Sequence, residues 1–325
     1  MPMRYRQLGR SGLTVSVVGL GCNAFGRSRG LEESRAIVDA ALDAGITLFD
    51  TSDLYGDPPG SSERFLGEAL GDRREQVVLA TKFGNPAVPH ESRASRRYVR
   101  LAVERSLRRL GTDYIDLYQL HAPDRRTPIE ETLAALDELV KEGKVRYAGA
   151  SMFAEWEVVE AALVSRSAGV GGFVSTQTHY SLLHRNAERE MTRACTTYGV
   201  GILPFYPLAS GLLTGKYRRG AEPPAGARIT EERPDDLTED RLDKVEAIRA
   251  FAAERGIGVL DVAIGWLADR PGVGSVIAGA SRPEQVRANA AAIEWRPDAA
   301  DLAALDAVVP PPLQDLHRQR PPWTR

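Results

Sequence analysis

The sequence predicts an α/β fold, a closed (β/α)8 TIM barrel with an N-terminal β-hairpin and additional C-terminal helices. Three observations carry this. Eight times a short apolar run is followed by a longer segment with helical spacing, as parallel strands joined by crossover helices require. No linker interrupts the series over 325 residues, a length that suits one barrel of about 250 residues with extensions. Reactive side chains also sit where the apolar runs end: Asp50, Lys82 and His121 each close one, and Tyr55 follows Asp50 by five positions. Parallel α/β folds collect their functional groups at the carboxyl ends of strands.

Arg4–Leu8 and Leu13–Val15 flank Gly9-Arg10-Ser11-Gly12, a β-hairpin with a glycine-containing loop. Ser16–Gly21 is the first buried strand, followed by a glycine-rich loop and a helix over Leu31–Ala44, where Ile37, Ala41 and Ala44 share a face and Gly45 stops it. Ile46–Asp50 is the second strand, with a helix over Ser61–Leu70, and Val77–Lys82 is the third. Val99, Ala102, Val103, Ser106, Leu107 and Leu110 recur at three and four, so a helix runs to Gly111. Tyr114–His121 is the fourth strand, and Pro128 opens the next helix where a missing N–H is harmless. Val145–Ser151, Phe173–Gln177 and Val200–Tyr206 are the fifth to seventh strands, with helices over Ala154–Ser167 and Asn186–Tyr198. Lys216–Asp240 is long, polar and Pro-rich, as functional loops tend to be. Helices over Leu242–Arg255 and Val259–Asp269, an eighth strand at Gly274–Ala278, and helices from Pro283 and over Asp298–Val308 complete a single domain of residues 1–325, with 310–325 as a tail.

The competing fold is a doubly wound dinucleotide-binding domain. Gly19-Leu20-Gly21-Cys22-Asn23-Ala24 fits a loose G-x-G-x-x-A, with Asp43 at about the distance of a ribose carboxylate. That fingerprint needs a turn opening directly into a helix, whereas Phe25–Gly30 intervenes and Asp43 falls inside the helix.

Hydrophobic residues make up 43% of the chain, enough for a large core, and the formal net charge of −2 offers no field for nucleic acid or an anionic membrane. Two cysteines, Cys22 and Cys195, are too few for a secreted disulfide scaffold. No run approaches a membrane span, and Met1–Tyr5 lacks the apolar stretch of a signal peptide. A cytoplasmic protein is expected, with no nucleic-acid or membrane partner. His90, His179, His184 and His317 have no acidic or cysteine partners at metal spacing, so no metal is assigned.

Tyrosine, with an ordinary pKa of about 10, is a poor acid at neutral pH unless something stabilises phenolate. A contacting lysine ammonium would do so, and a carboxylate would hold that lysine charged. Histidine can hydrogen-bond a substrate oxygen or share its proton. Asp50, Tyr55, Lys82 and His121 therefore suit protonation of a carbonyl oxygen as charge develops on it. The other half of such a reduction is a hydride donor.

These residues stand in Phe49-Asp50-Thr51-Ser52-Asp53-Leu54-Tyr55-Gly56, Ser62-Glu63-Arg64-Phe65-Leu66-Gly67, Ala80-Thr81-Lys82-Phe83-Gly84 and Leu117-Tyr118-Gln119-Leu120-His121. In these motifs the chain resembles the aldo-keto reductase superfamily, from the hairpin to about residue 295. The resemblance implies a (β/α)8 barrel holding an extended nicotinamide cofactor at its C-terminal face. It implies Tyr55 as proton donor, Lys82 and Asp50 as groups that tune it, and His121 as the residue orienting the carbonyl. Around the cofactor it implies Gly21, Cys22 and Asp50, then Ser151 and Gln177 on the carboxamide. Met152 stands where the family has an Asn, and has no amide to offer.

Pro204-Phe205-Tyr206-Pro207-Leu208 resembles the family's P-Y-S-P-L, which places Phe205 against the nicotinamide ring. Ser210, Gly211 and Lys216 continue the match over the pyrophosphate. After the eighth strand, Gly279 leads to Ser281 and Arg282, implied to hold a 2′-phosphate, with Gln285 and Asn289 facing the adenine. The implied cofactor is NADPH/NADP+, and the implied partner a small-molecule carbonyl or sugar. The same site run backwards is a sugar or alcohol dehydrogenase, and some members of the superfamily are cofactor-binding channel partners. Loops 23–30, 85–92 and 216–240 and the tail set the substrate, with Phe25, Leu54, Trp156, Tyr180 and Trp323 as candidate pocket walls. Oligomeric state is left open.

Overall fold

Two antiparallel strands, β1 (Tyr5–Gln7) and β2 (Thr14–Ser16), open the chain, and eight parallel strands follow. The computed structural model describes residues 2–84, 91–221, 229–230 and 233–312. The parallel strands are β3 (Val18–Gly21), β4 (Leu48–Asp50), β5 (Val78–Phe83), β6 (Ile115–Leu120), β7 (Val145–Ser151), β8 (Phe173–His179), β9 (Gly201–Phe205) and β10 (Val276–Gly279). Each pairs with the next in sequence, and β10 returns to pair with β3. The remaining seam closes where Ile202 donates to the Gly272 carbonyl at 2.7 Å and accepts from Gly274 at 2.8 Å. The result is a (β/α)8 barrel with an N-terminal hairpin.

Helices α1 (Leu31–Asp43), α2 (Ser61–Leu70), α3 (Arg96–Leu110), α4 (Ile129–Lys141), α5 (Glu155–Ala168) and α6 (Met191–Tyr198) form part of the outer ring. Helices Glu239–Glu254, Val259–Ala268, Pro283–Ala291 and Ala299–Val308 complete it. Among the described residues no helix is long and apolar enough to cross a membrane.

The strands begin later than their apolar runs because the first residues spend their hydrogen bonds elsewhere. Ile46 donates back to Ala41 at the end of α1, Val17 donates to Arg4 in the hairpin, and Gly274 donates across the seam. The helix expected over Asn186–Tyr198 is broken: a 3-10 turn over Asn186–Glu188 precedes α6, and Glu190 between them leaves helical geometry at φ −137°. The helix after the long loop starts at Glu239, where the Thr238 hydroxyl accepts from the Arg241 N–H. Gly19 and Gly21 lie within β3 rather than in a phosphate turn; a side chain at Gly19 would meet Leu48 at 3.1 Å inside the barrel.

Period-two alternation sorts the barrel interior into layers. Leu48, Ala80, Leu117, Leu203 and Ile277 pack together in one apolar cluster, plugged from below by Leu8, Leu13 and Val15 of the hairpin. Two residues further along four of these strands stand Asp50, Lys82, Gln119 and Phe205. The interior thus changes from apolar to polar one pleat below the C-terminal rim.

Candidate active site

Lys82 is 1% exposed and donates three times: to Asp50 Oδ2 at 2.6 Å, to the Thr51 carbonyl at 2.9 Å and to the Tyr55 hydroxyl at 3.2 Å. Burial by itself lowers an ammonium, but Asp50 and Tyr55 hold Lys82 above its ordinary value. The opposite balance applies to Tyr55. Burial pushes its phenol up; Lys82 pulls it down and Asp50 pushes it up, with a raised value as the outcome. Tyr55 is therefore a neutral phenol at physiological pH, with its proton to give.

Tyr55 is carried by the turn after β4, where its own N–H donates to the Ser52 carbonyl at 3.2 Å. Gly56 follows at φ +95°, and a Cβ there would lie 2.7 Å from Ser61 of α2. The close approach of α2 is what sets the phenol over the lysine. Glu63 of α2, buried, accepts from Thr81 of β5 at 2.6 Å and from Arg109 of α3 at 2.6 Å, tying the strand that bears Lys82 to two helices.

His121 lies one residue beyond β6, its ring edge-on to Tyr55 with centroids 5.8 Å apart. Desolvation, then Lys82, then Arg93 lower its pKa to about 3. The imidazole is neutral, and its Nδ1 faces the Ser52 hydroxyl at 3.1 Å. When that hydroxyl donates to Nδ1, the ring proton sits on Nε2 and can be given to a substrate oxygen.

Two glutamines join this network, Gln119 from outside the expected set and Gln177, expected on the carboxamide of a cofactor. Gln119 donates to Asp50 Oδ1 at 3.2 Å, and Gln177 donates to the same oxygen at 2.6 Å and to Gln119 Oε1 at 3.2 Å. Asp50 is thus held by a lysine on one oxygen and two amides on the other. Ser52 and Gln119 were legible only by position: Gln119 is two residues before His121 and pairs with Lys82 across the strands. Gly149 makes room for it, since a Cβ there would come within 3.0 Å of Gln119 and 2.7 Å of Ser175.

The residues expected around a cofactor line the rim from β7 through β10. Ser151 is buried at the end of β7, paired with Gln177. Met152 is 58% exposed and sits at φ +60°, with its N–H donating to the Gln177 carbonyl at 2.9 Å. Phe205 stacks near-parallel on His179 with centroids 5.5 Å apart, and Tyr206, at φ +53°, packs edge-on against it. Pro207 is buried and Leu208 half-buried. Ser210 (φ +56°) and Gly211 (φ +101°) shape the next turn, where a Cβ on Gly211 would lie 3.4 Å from Lys216 Cε.

Partial desolvation and the nearby Arg282 guanidinium lower the Lys216 ammonium. Neither cation has an ion-pair partner among the described residues. Gln285 turns back on the loop, accepting from the Ser281 N–H at 2.7 Å and hydroxyl at 3.0 Å, and Asn289 is buried, donating to the Gly279 carbonyl at 3.5 Å. Two cations without an ion-pair partner among the described residues, Lys216 lying over the Tyr217 ring, are the donor set a pyrophosphate and a further phosphate ask for.

Several expected residues lie elsewhere. Cys22 is fully buried; its N–H donates to the Asp50 carbonyl and its carbonyl accepts from Ser62, so it braces the site from behind. Gly21 is likewise covered within β3, beside Ile277. Phe25 and Tyr180, expected as pocket walls, are fully buried core residues; Tyr180 donates to Glu188 and packs edge-on against Trp266. Trp156 is exposed on α5, and Leu54 is exposed beside Tyr55. Trp323, His90, His317 and much of loops 85–92 and 216–240 lie outside the described residues.

A model of the aldo/keto reductase family matches residues 17–310. An uncharacterized oxidoreductase, YrpG, of Bacillus subtilis (strain 168) is 38% identical over 321 residues, 95% of this chain and 97% of that protein. An L-glyceraldehyde 3-phosphate reductase of Escherichia coli (strain K12) is 36% identical over 306 residues, 90% of this chain and 88% of that protein. A probable voltage-gated potassium channel subunit beta of Oryza sativa subsp. japonica is 36% identical over 306 residues, 91% of this chain and 92% of that protein.

Proposed function

The chain belongs to the aldo/keto reductase family, and from that premise we propose that it reduces an aldehyde or ketone to the alcohol with NADPH, Tyr55 giving the proton. Family membership makes it an NAD(P)H-dependent oxidoreductase. The observation that carries the finer reading is the Lys82 ammonium, bonded at once to Asp50 and to the Tyr55 hydroxyl. When bound, reduced nicotinamide supplies a hydride to the carbonyl carbon. Charge would then develop on the carbonyl oxygen, to which the Tyr55 hydroxyl and, with its proton on Nε2, the neighbouring His121 ring would donate. Tyr55 releases its proton there, and Lys82 stabilises the phenolate left behind, acting from a buried position where a charge contact is strong.

The test is NADPH oxidation with a panel of aldehydes and ketones. Tyr55→Phe is expected to lower kcat by about 10²- to 10⁴-fold while binding NADPH as before; wild-type turnover in this variant removes Tyr55 from the role.

Preference for NADPH over NADH is supported by Lys216 and Arg282, without an ion-pair partner among the described residues. Arg282→Ala is expected to weaken NADP+ by about tenfold or more, one lost charge-assisted contact, and to leave NAD+ nearly unchanged. Equal weakening of both, measured by fluorescence titration, counts against a 2′-phosphate contact. The substrate is proposed to be a small carbonyl compound or sugar, and the cytoplasm the site of action. A second reading, a cofactor-binding subunit with little turnover, is suggested by the rice relative's name; the assembled tetrad favours turnover, and the aldehyde panel separates the two.

A further inference from the structure

A pocket of about 750 Å³ opens on the C-terminal face beside the tetrad, walled by the loops after β6, β7 and β8. Met152 stands on its wall with His179, which stacks on Phe205, and Arg93 on the same wall lies close enough to His121 to act on its charge. Arg93 stands just before α3, and its Cδ and the His121 Cβ flank Gly84, each 3.8 Å from the Cβ position that glycine leaves empty. Resting on the reductase reading, we propose that Arg93 binds an anionic group of the substrate, so that the preferred carbonyl compounds carry a carboxylate or a phosphate a few bonds from the reacting carbon.

The argument begins with an imbalance of charge. A guanidinium keeps its proton in any protein environment, and partial burial without a partner is costly. Arg93 is half-buried yet makes no hydrogen bond or ion pair among the described residues. The preceding stretch 85–90 contains no Asp or Glu. Glu91, two residues before Arg93, and Asp124, on the pocket wall, are engaged elsewhere. Glu91 pairs with Arg97. The Asp124 carboxylate accepts from the Ala94 N–H at 3.1 Å, the Arg126 N–H at 3.1 Å and the Thr127 hydroxyl at 2.9 Å. Glu157, across the pocket, accepts from the Ala154 N–H at 2.7 Å; Glu155 lies on that far wall, at the first turn of α5.

A second cation reinforces the first. Arg125 lines the same pocket, exposed and equally without a partner among the described residues. Arg93 is also close enough to His121 to help keep that imidazole neutral. An anion seated on Arg93 would therefore place its carbonyl end toward Tyr55 and His121, with the guanidinium fork clamping the other end.

The experiment compares matched pairs with NADPH: glyceraldehyde 3-phosphate against glyceraldehyde, and succinic semialdehyde against butanal, in wild type, Arg93→Gln and Arg93→Lys. Wild type is expected to favour the anionic member of at least one pair, and the pair identifies phosphate or carboxylate. In Arg93→Gln the anionic-to-neutral ratio of kcat/KM falls by about 10- to 100-fold, mainly through KM, and Arg93→Lys restores part of it. No preference in wild type, or an unchanged ratio in Arg93→Gln, overturns the inference. If no carbonyl is turned over at all, the reductase reading fails by itself, and calorimetry still decides this one. Without nicotinamide, glycerol 3-phosphate should bind wild type more tightly than glycerol does and lose that advantage in Arg93→Gln; equal binding by both proteins overturns it.

Discussion

Tyr55 and His121 are opposite solutions to one requirement, a proton that is present at neutral pH and aimed at the same oxygen. Burial keeps the Tyr55 proton on, while Lys82 waits to accept the charge when it leaves. At His121, desolvation, Lys82 and Arg93 keep the ring neutral, down to about 3. Its folded value lies below the ordinary 6.5, so between about 6.5 and 3 the unfolded chain binds the extra proton and stability from this group is lost as pH falls. Across pH 5–8, a window that lies wholly above that depressed value, kcat/KM is expected to show no limb from His121; an acid limb near 6.5 that vanishes in His121→Gln is the contrary result. The sequence named the four chemical types in this cluster, since each closes or follows an apolar run. For Ser52 and Gln119 it offered position alone, because a serine in a turn and a glutamine in a strand have no chemistry of their own until a partner two strands and 69 residues away is brought to them.

At the scale of elements, strained backbone concentrates in the loops after β7 and β9. Met152, Tyr206, Ala209 and Ser210 are the non-glycine residues at positive φ among the described residues, and all four lie there. L residues with a side chain pay steric strain in this region, and Asn tolerates it best after Gly. Met152 departs from the family motif, and the backbone explains what the motif's Asn is suited to: a left-handed residue whose side chain also carries an amide. Met152→Asn is expected to raise unfolding free energy by about 1 kcal/mol, read as a higher urea midpoint with an unchanged slope; no change in midpoint would show that the methionine bears no strain. The periodicity located the end of β7 correctly at Ser151, since a buried strand reads as a continuous apolar run. It had no signal for the break between Asn186–Glu188 and α6, because both halves keep helical spacing and only the turn at Glu190 separates them.

For the whole molecule, the hairpin and the site occupy opposite ends of one barrel, joined by the apolar layer of Leu48, Ala80, Leu117, Leu203 and Ile277. Leu8 is fully buried beneath that layer, and a Cβ on Gly201 would come within 2.7 Å of it. Leu8→Ala is expected to cost about 2–5 kcal/mol of stability, as large-to-small core substitutions do, measured by urea unfolding, with kcat of the surviving folded fraction close to wild type. A loss below 0.5 kcal/mol would mean that the plug does not support the barrel. The sequence by itself determined the alternation of eight parallel strands with helices, the barrel, and the placing of Asp50, Tyr55, Lys82 and His121 at or just past strand ends, because hydrophobic period and strand-end position are local properties of a chain. Only the tertiary structure decided that Gln119 and Gln177 share one oxygen of Asp50, that Cys22, Phe25 and Tyr180 are turned away from the cleft, and that Arg93 lies unpaired among the described residues beside His121. Those are matters of which side chains meet across strands and which charges find partners, and closure of the sheet into a barrel is what brings them within reach.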